Sequence, residues 1–384
     1  MKENYLCFKI TRMNPFSYGT IVRGDHFYDR KEECKRIVDT LSGGNNLVLY
    51  APRRFGKTSL VFKAIEQLEA QGFICIYFDF MPVFSPESFV RLYTKALSAK
   101  QTNLQKFAQA FTSLIKNIRP VLSFGPDGIT ELSIDFAGTV VNETIVSQLL
   151  DLPEKLAGED KRVIVFFDEF QEAEKLNDIH FESLLRSKIQ QQHTTNYLFF
   201  GSKTHLLEEL FNNKKRAFYN AASQMAIGAL PEEDTIEYLQ TKFAQSKLIV
   251  STDIARYIIS VAANIPHYIQ MMAAEIWQYM VMSQEVVTKE IVDDCAKRLL
   301  ALKSDYYMEL FDRQSQSKKQ LLQALTVNGK NIFSTAYIQT HRLPGVATLQ
   351  RAVKGLIMDG TIEKMNDEYF IADPFFKLFV ETTI

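Results

Sequence analysis

The sequence has few cysteines, and the four present, Cys7, Cys34, Cys75 and Cys295, are scattered without a close pair. This excludes a zinc knuckle or a disulfide framework and fits reduced thiols in a cytosol. Glycine (16) and proline (11) are sparse and no tract repeats, so short connections and closely packed domains are expected. No apolar run reaches about 18 residues. Charges interrupt the opening stretch MKENYLCFKITRMNPF too often for a signal-peptide core, so the expectation is a soluble cytoplasmic chain with no membrane contact. An excess of one charge is also missing. Lys plus Arg number 44 against 45 Asp plus Glu, a net charge of -1, which excludes the whole-chain basicity of an obligate nucleic-acid coat and makes any such contact local. No cluster of His, Cys and carboxylates proposes a transition metal.

What is present is material for large cores: 384 residues, 46% apolar and 12% aromatic, enough for two or three domains. From Asn46 to Ser202, short β-rich runs (NLVLY at 46–50, FICIYFDF at 73–80, VIVFFD at 163–168, NYLFFGS at 196–202) alternate with helical stretches. That alternation predicts an α/β core, a mainly parallel sheet covered by helices, over residues 1–230. Residues 119–136 alternate apolar and polar about Gly125-Pro126-Asp127-Gly128, which predicts an inserted surface hairpin. From 231 to 314 helical periodicity takes over and predicts a small helical domain. Residues 315–384 read helix, helix, helix and β-hairpin, a winged helix-turn-helix order.

The segment Ala51-Pro52-Arg53-Arg54-Phe55-Gly56-Lys57-Thr58, followed by Ser59, has the phosphate-binding spacing G-x-x-x-x-G-K-[ST] with alanine at the first glycine. A strand enters it and a helix leaves it. Backbone N–H groups at a helix start cradle phosphates, Lys57 reaches the outer ones and the Thr58 hydroxyl suits Mg²⁺. Ala51 fits if its φ is negative. The run from Arg162 to Glu169 is an apolar strand ending in Asp168, placed for Mg²⁺, and Glu169, placed to activate water; alone, such an acidic pair also serves as a helix cap. Gly201-Ser202 ends another strand. Ser202 is either a γ-phosphate sensor, if that strand lies between the other two, or the N-cap of the next helix. Without an Asn-Lys-x-Asp segment GTP is disfavoured, leaving ATP with Mg²⁺.

The stretches APRRFGKTSL, FFDEFQE, FFGSKT, NIPHYIQ and YFIADPFFKLF together resemble the AAA+/STAND ATPases, specifically the archaeal-type ATPases with a C-terminal winged helix, from about Asn14 to the C-terminus. The resemblance implies a P-loop core, a helical lid and a winged helix. It implies an adenine-side segment at Phe27-Tyr28-Asp29-Arg30-Lys31-Glu32-Glu33, where Arg30 and Glu33 match the family's Gly-Arg-Glu-x-Glu pattern and Asp29 and Lys31 depart from it. The lid's Gly-x-Pro signature stands here as Asn264-Ile265-Pro266, which implies Pro266 and His267 as a conformational sensor near the nucleotide; His267 is otherwise a surface or capping residue. The arginine-finger role falls to Arg216, or Arg216 belongs to a solvated basic run.

In the third winged-helix helix, Val346, Leu349, Val353, Leu356 and Ile357 share one face and leave Thr348, Arg351 and Lys354 outward. The last seventy residues carry eight Lys plus Arg and six acids, a net of +2, so DNA and a protein remain alternative partners of Arg351 and Lys354. Three functions are expected to compete. The first is an ATP-driven molecular switch coupling nucleotide state to lid and winged-helix orientation, in a chain open to nucleotide-dependent oligomerisation. The others are a DNA-binding regulator with structural ATP and an interaction scaffold with a slow or inactive ATPase.

Overall fold

A computed structural model describes residues 13–20, 30–101, 103–116, 118–124, 130–157, 161–280, 286–365 and 367–383. Contacts divide the chain into two units. The sheet unit comprises Arg30–Arg53 and Lys57–Gly228; the helical unit comprises Met1–Asp29, Arg54–Gly56 and Ala229–Ile384.

The sheet unit runs α1 (Lys31–Ser42), β1 (Leu47–Tyr50), α2 (Lys57–Ala70), β2 (Ile74–Asp79), α3 (Pro86–Ser98), α4 (Leu104–Leu114), β3 (Arg119–Phe124), β4 (Thr130–Asp135), α5 (Glu143–Leu150), α6 (Leu152–Ala157), β5 (Val163–Asp168), a 3-10 segment (Phe170–Ile179), α7 (Phe181–Gln191), β6 (Thr195–Phe200), α8 (Thr204–Asn212) and β7 (Ser223–Ala226). Its main sheet has the order β2-β5-β6-β1-β7, with every pairing parallel. β1, β5 and β6 are buried along their whole length, which explains why they read as unbroken apolar runs rather than alternating ones. β7 was not foreseen: SQMA is short, mostly exposed and paired on one side only, so it lacks the apolar signature of the central strands. An aromatic cluster built on Phe78, Phe80, Tyr93, Phe167, Phe170 and Phe199 forms the heart of this core. Each such side chain contributes about 1.5–3 kcal/mol by burial. β3 and β4 pair antiparallel from Arg119 opposite Asp135, as the alternation predicts; the turn at Gly125–Gly128 lies outside the described residues.

The helical unit runs α9 (Glu232–Ala244), α10 (Thr252–Val261), α11 (Pro266–Met280), α12 (Lys289–Ala301), α13 (Ser304–Asp312), α14 (Gln316–Val327), α15 (Thr335–Thr340), α16 (Val346–Met358), β8 (Ile362–Met365), β9 (Glu368–Ile371) and α17 (Pro374–Thr383). Residues 13–20, expected with the sheet, belong here: Phe16 is buried against Tyr238 and Phe243, and the Asn14 amide donates to the Ala274 carbonyl at 3.1 Å. A break near residue 314 is not drawn by the contacts, because α17 packs on α12 and α13 as well as on α14. That last helix also went unforeseen, although Asp373 before Pro374 is a start signal; its carboxylate accepts from the N–H groups of Phe375 and Phe376. In α16, Leu349, Val353 and Leu356 are buried as predicted, whereas Val346 is 44% exposed and Ala352 takes its place inward. Val346 opens the helix, where no preceding turn carries it onto the core.

Candidate active site

The first part of the expected phosphate-binding segment follows β1. Ala51 is buried and absent from the positive-φ residues, so alanine at the first glycine position causes no backbone strain. Its carbonyl accepts from the Lys57 ammonium at 2.6 Å and from the Thr204 hydroxyl at 3.1 Å, and Lys57 also donates to the Pro52 carbonyl at 2.9 Å. Lys57 opens α2 and is buried; Thr58 and Ser59 follow it half-buried in the first turn, and Arg53 is exposed.

β6 lies between β5 and β1, which is the condition Ser202 needed for a place beside both the P-loop strand and the acidic strand end. Asp168 ends β5 and is buried, its Oδ1 accepting from the Glu169 N–H at 2.8 Å and its Oδ2 from the Tyr77 hydroxyl at 2.5 Å. Burial pushes its carboxyl up to about 6; Glu169 and Asp79 add to the rise, and the Tyr77 and Glu169 hydrogen bonds oppose it. The same neighbourhood, burial first and then Asp168, pushes the Tyr77 phenol up. Among the described residues no cation pairs with Asp168. A desolvated carboxylate flanked by two acids, with a half-buried Thr58 hydroxyl in the same unit, is a donor set suited to Mg²⁺.

Glu169 has φ 49, in the left-handed region. Its Oε2 accepts from the Ser202 N–H at 3.1 Å, the Ser202 hydroxyl at 2.9 Å and the Gln171 amide. The capping alternatives therefore fail: Lys203 is the N-cap of α8, and Glu169 makes no side-chain cap bond to the segment it precedes. Arg216 is committed within the unit to Glu182 at 2.6 Å and Glu174 at 2.8 Å, so a transition-state role would require both pairs to open. Arg30 is also built into the fold, donating to Glu33 at 3.1 Å and to the Gly228 carbonyl at 2.8 Å. The rest of the expected adenine-side segment before it, Phe27 to Asp29, lies outside the described residues.

Within the helical unit, Gly56 has φ +81 with open space where a Cβ would stand, so glycine is needed there for conformation. Arg54, at φ 70, accepts the His267 N–H on its carbonyl at 3.3 Å. The Arg54 guanidinium lies over the Tyr268 ring at 4.8 Å and pairs with Asp373 at 3.4 Å. Phe55 is buried. Asn264, at the place of the family's glycine, has φ 53, a conformation that asparagine tolerates; Pro266 then starts α11. His267 is half-buried between the edges of Tyr18 and Tyr268. Burial pushes its imidazole down to about 4, with Arg54 and Lys303 adding and Asp373 opposing.

Of the eight winged-helix cations, five have acid partners: Lys318 with Asp359, Lys319 with Asp312, Lys330 with Glu368, Lys364 with Asp367 and Lys377 with Glu381. Arg342, Arg351 and Lys354 are exposed and have no ion-pair partner among the described residues. Sequence reading missed Arg342, Tyr77, Gln171 and Thr204. The first precedes the helix singled out, and the other three acquire meaning only from strand order.

Residues 27–212 match a family profile described as an ATPase domain predominantly from Archaea, and residues 305–382 match a probable winged helix domain. Among curated proteins, an uncharacterised ATP-binding protein of Pyrococcus horikoshii is 26% identical over 230 residues, covering 56% of this chain and 65% of its own. An uncharacterised ATP-binding protein of Methanocaldococcus jannaschii is 22% identical over 201 residues, 49% of this chain and 54% of its own. The chain thus spans less than two thirds of the length of these relatives. Among solved structures, a Walker-type ATPase of Pyrococcus abyssi aligns with TM-score 0.62 at 18% identity, covering 94% of this chain and 97% of that one. The ORC2 protein of Aeropyrum pernix, in ADPNP and ADP complexes, aligns with TM-score 0.52 at 11% identity, covering 95% and 98%. No helix among the described residues is long and apolar enough to cross a membrane.

Proposed function

We propose, from the match of residues 27–212 to the archaeal-type ATPase profile and of residues 305–382 to a winged helix domain, that the chain hydrolyses ATP with Mg²⁺ as a molecular switch. The observation that carries this reading is the Glu169 carboxylate, gripped on one oxygen by Ser202 at the tip of β6, beside a buried Asp168 with no cation partner among the described residues. Lys57 exchanges its two loop carbonyls for the outer phosphates of ATP. Thr58 and Asp168 would hold Mg²⁺, which would offset phosphate charge. Glu169 Oε1 takes a proton from water; the water oxygen bonds to the γ-phosphorus as the bond to the bridging oxygen breaks, leaving its electron pair on ADP. Within the helical unit, the contacts of Arg54 with His267, Tyr268 and Asp373 support the switch reading.

The test is phosphate release by wild type and Glu169→Gln, with ATP binding measured in parallel. Glu169→Gln should keep ATP and lose about 10²- to 10⁴-fold in turnover, the usual worth of a positioned base. Equal loss of binding and turnover would make Glu169 structural, and an unchanged rate would assign the water to another residue. A second reading, duplex DNA as the winged helix's partner, is favoured by Arg342, Arg351 and Lys354, three exposed cations with no ion-pair partner among the described residues.

A further inference from the structure

We infer that Gln171 and Gly201 together position the Glu169 carboxylate, as a lock behind the base that the proposed hydrolysis uses. Gln171 is 2% exposed, in the 3-10 segment that follows β5. Its Nε2 donates to Glu169 Oε2, the oxygen that also receives both Ser202 donors. Three donors saturate that oxygen, while Oε1 accepts none among the described residues and is the one left for water. The amide orientation is fixed by this contact, because the reverse would set the Gln171 oxygen against a carboxylate oxygen.

Gly201 explains how Gln171 comes to be there. Its φ is outside the left-handed region, so glycine is not required for conformation; a Cβ would stand 2.0 Å from Gln171 Oε1 and 3.2 Å from the Glu169 Cα. The missing side chain is the space that the Gln171 amide fills. Gln171 Oε1 is buried without a hydrogen-bond partner, a cost retained where the opposite end of the same amide is committed to the base. Sequence reading placed Gly201 only at a strand end beside Ser202. The geometry makes it the gap into which a positioning side chain closes.

This inference rests on the hydrolysis reading, and its test separates the two. In the full chain, Gln171→Leu removes the donor and Gln171→Glu removes it while keeping the shape; both should lower kcat by about 10²-fold, as misplacement of a reacting group does, with KM for ATP unchanged. Gly201→Ala should do the same in wild type and nothing further in a Gln171→Ala background, where the methyl enters vacated space. Additive losses, or a rise in KM with kcat unchanged, would overturn the lock. The contact has its own readout without nucleotide: the ¹⁵N side-chain amide resonance of Gln171, identified by its disappearance in Gln171→Leu, should shift in Glu169→Ala. An indifferent resonance overturns the lock whether or not the protein hydrolyses ATP. If wild type shows no turnover, or Glu169→Gln matches wild type, the hydrolysis reading falls and the amide resonance alone decides whether the lock exists.

Discussion

A buried ammonium has to be surrounded by acceptors, and Lys57 has found two in carbonyls of its own loop. In the proposed reading, its replacement by alanine removes the point charge that would meet the outer phosphates. Wild type should therefore gain about 2.7 kcal/mol of stability at an ATP-Mg²⁺ concentration roughly 100 times the dissociation constant, and Lys57→Ala should show no thermal shift. An unchanged shift in the variant would remove Lys57 from the site. His267 gives a prediction of opposite kind, concerning protons. With its folded value lowered to about 4 from an ordinary 6.5, the unfolded chain binds the proton first as pH falls. The stability that neutral His267 contributes is present above about 6.5 and lost as pH drops through about 4. Subtracting the melting curves of His267→Gln from those of wild type should isolate that loss; Asp168, raised to about 6, titrates with the opposite sign and cancels in the difference. A flat difference between pH 7 and 4 would refute the buried imidazole. Lys57, Asp168, Glu169 and Ser202 were legible from spacing and strand ends. Gln171 and Tyr77 were not, because an amide or phenol in an apolar segment acquires a role only when its partner is known.

At the scale of elements, the apolar period that revealed β1, β5 and β6 also hid the order that makes them a site. Placing β6 between β5 and β1 brings Ser202 to Glu169 and Thr204 to the Ala51 carbonyl. No local pattern encodes that adjacency, whereas the helix-then-strand alternation does encode the parallel class. β7 escaped because it is four residues long with three of them exposed, so little burial rewards apolar residues, whereas β2 at the opposite edge is six residues long and largely covered. The wing was legible as two strands, but its docking was not. The carbonyl of Gly329, after α14, accepts from the Tyr369 N–H at 3.1 Å, and a Cβ at Gly329 would lie 1.6 Å from the Tyr369 carbonyl oxygen. Backbone met by backbone cannot move aside as a side chain does. Gly329→Ala should cost about 2–4 kcal/mol, the range of strongly strained core substitutions, read as a lowered urea midpoint. A variant within about 0.5 kcal/mol of wild type would show that the wing is free to shift away from α14.

Over the whole molecule the charges nearly cancel, and only their distribution can say whether a phosphate backbone is a partner. In the winged helix the net of +2 conceals a division: among the described residues five cations are held by acids, and the three that are not, Arg342, Arg351 and Lys354, lie on or just before α16. Glu363, Asp367 and Glu368 on and between β8 and β9 act against approach from that side, though Lys364 and Lys330 partly offset them. If duplex DNA binds, each of the three cations that meets a phosphate adds about -0.9 to the slope of log affinity against log salt. The triple replacement Arg342→Ala, Arg351→Ala, Lys354→Ala should then weaken binding and flatten the slope by up to about 2.7. Its melting temperature should stay close to that of wild type, since none of the three is buried and none has an ion-pair partner among the described residues to abandon. Titration of a labelled duplex at several salt concentrations, with and without ATP-Mg²⁺, measures both quantities. Salt-independent binding, or an unchanged slope in the triple variant, would remove these residues from a phosphate contact and leave the exposed face of α16 to a protein partner.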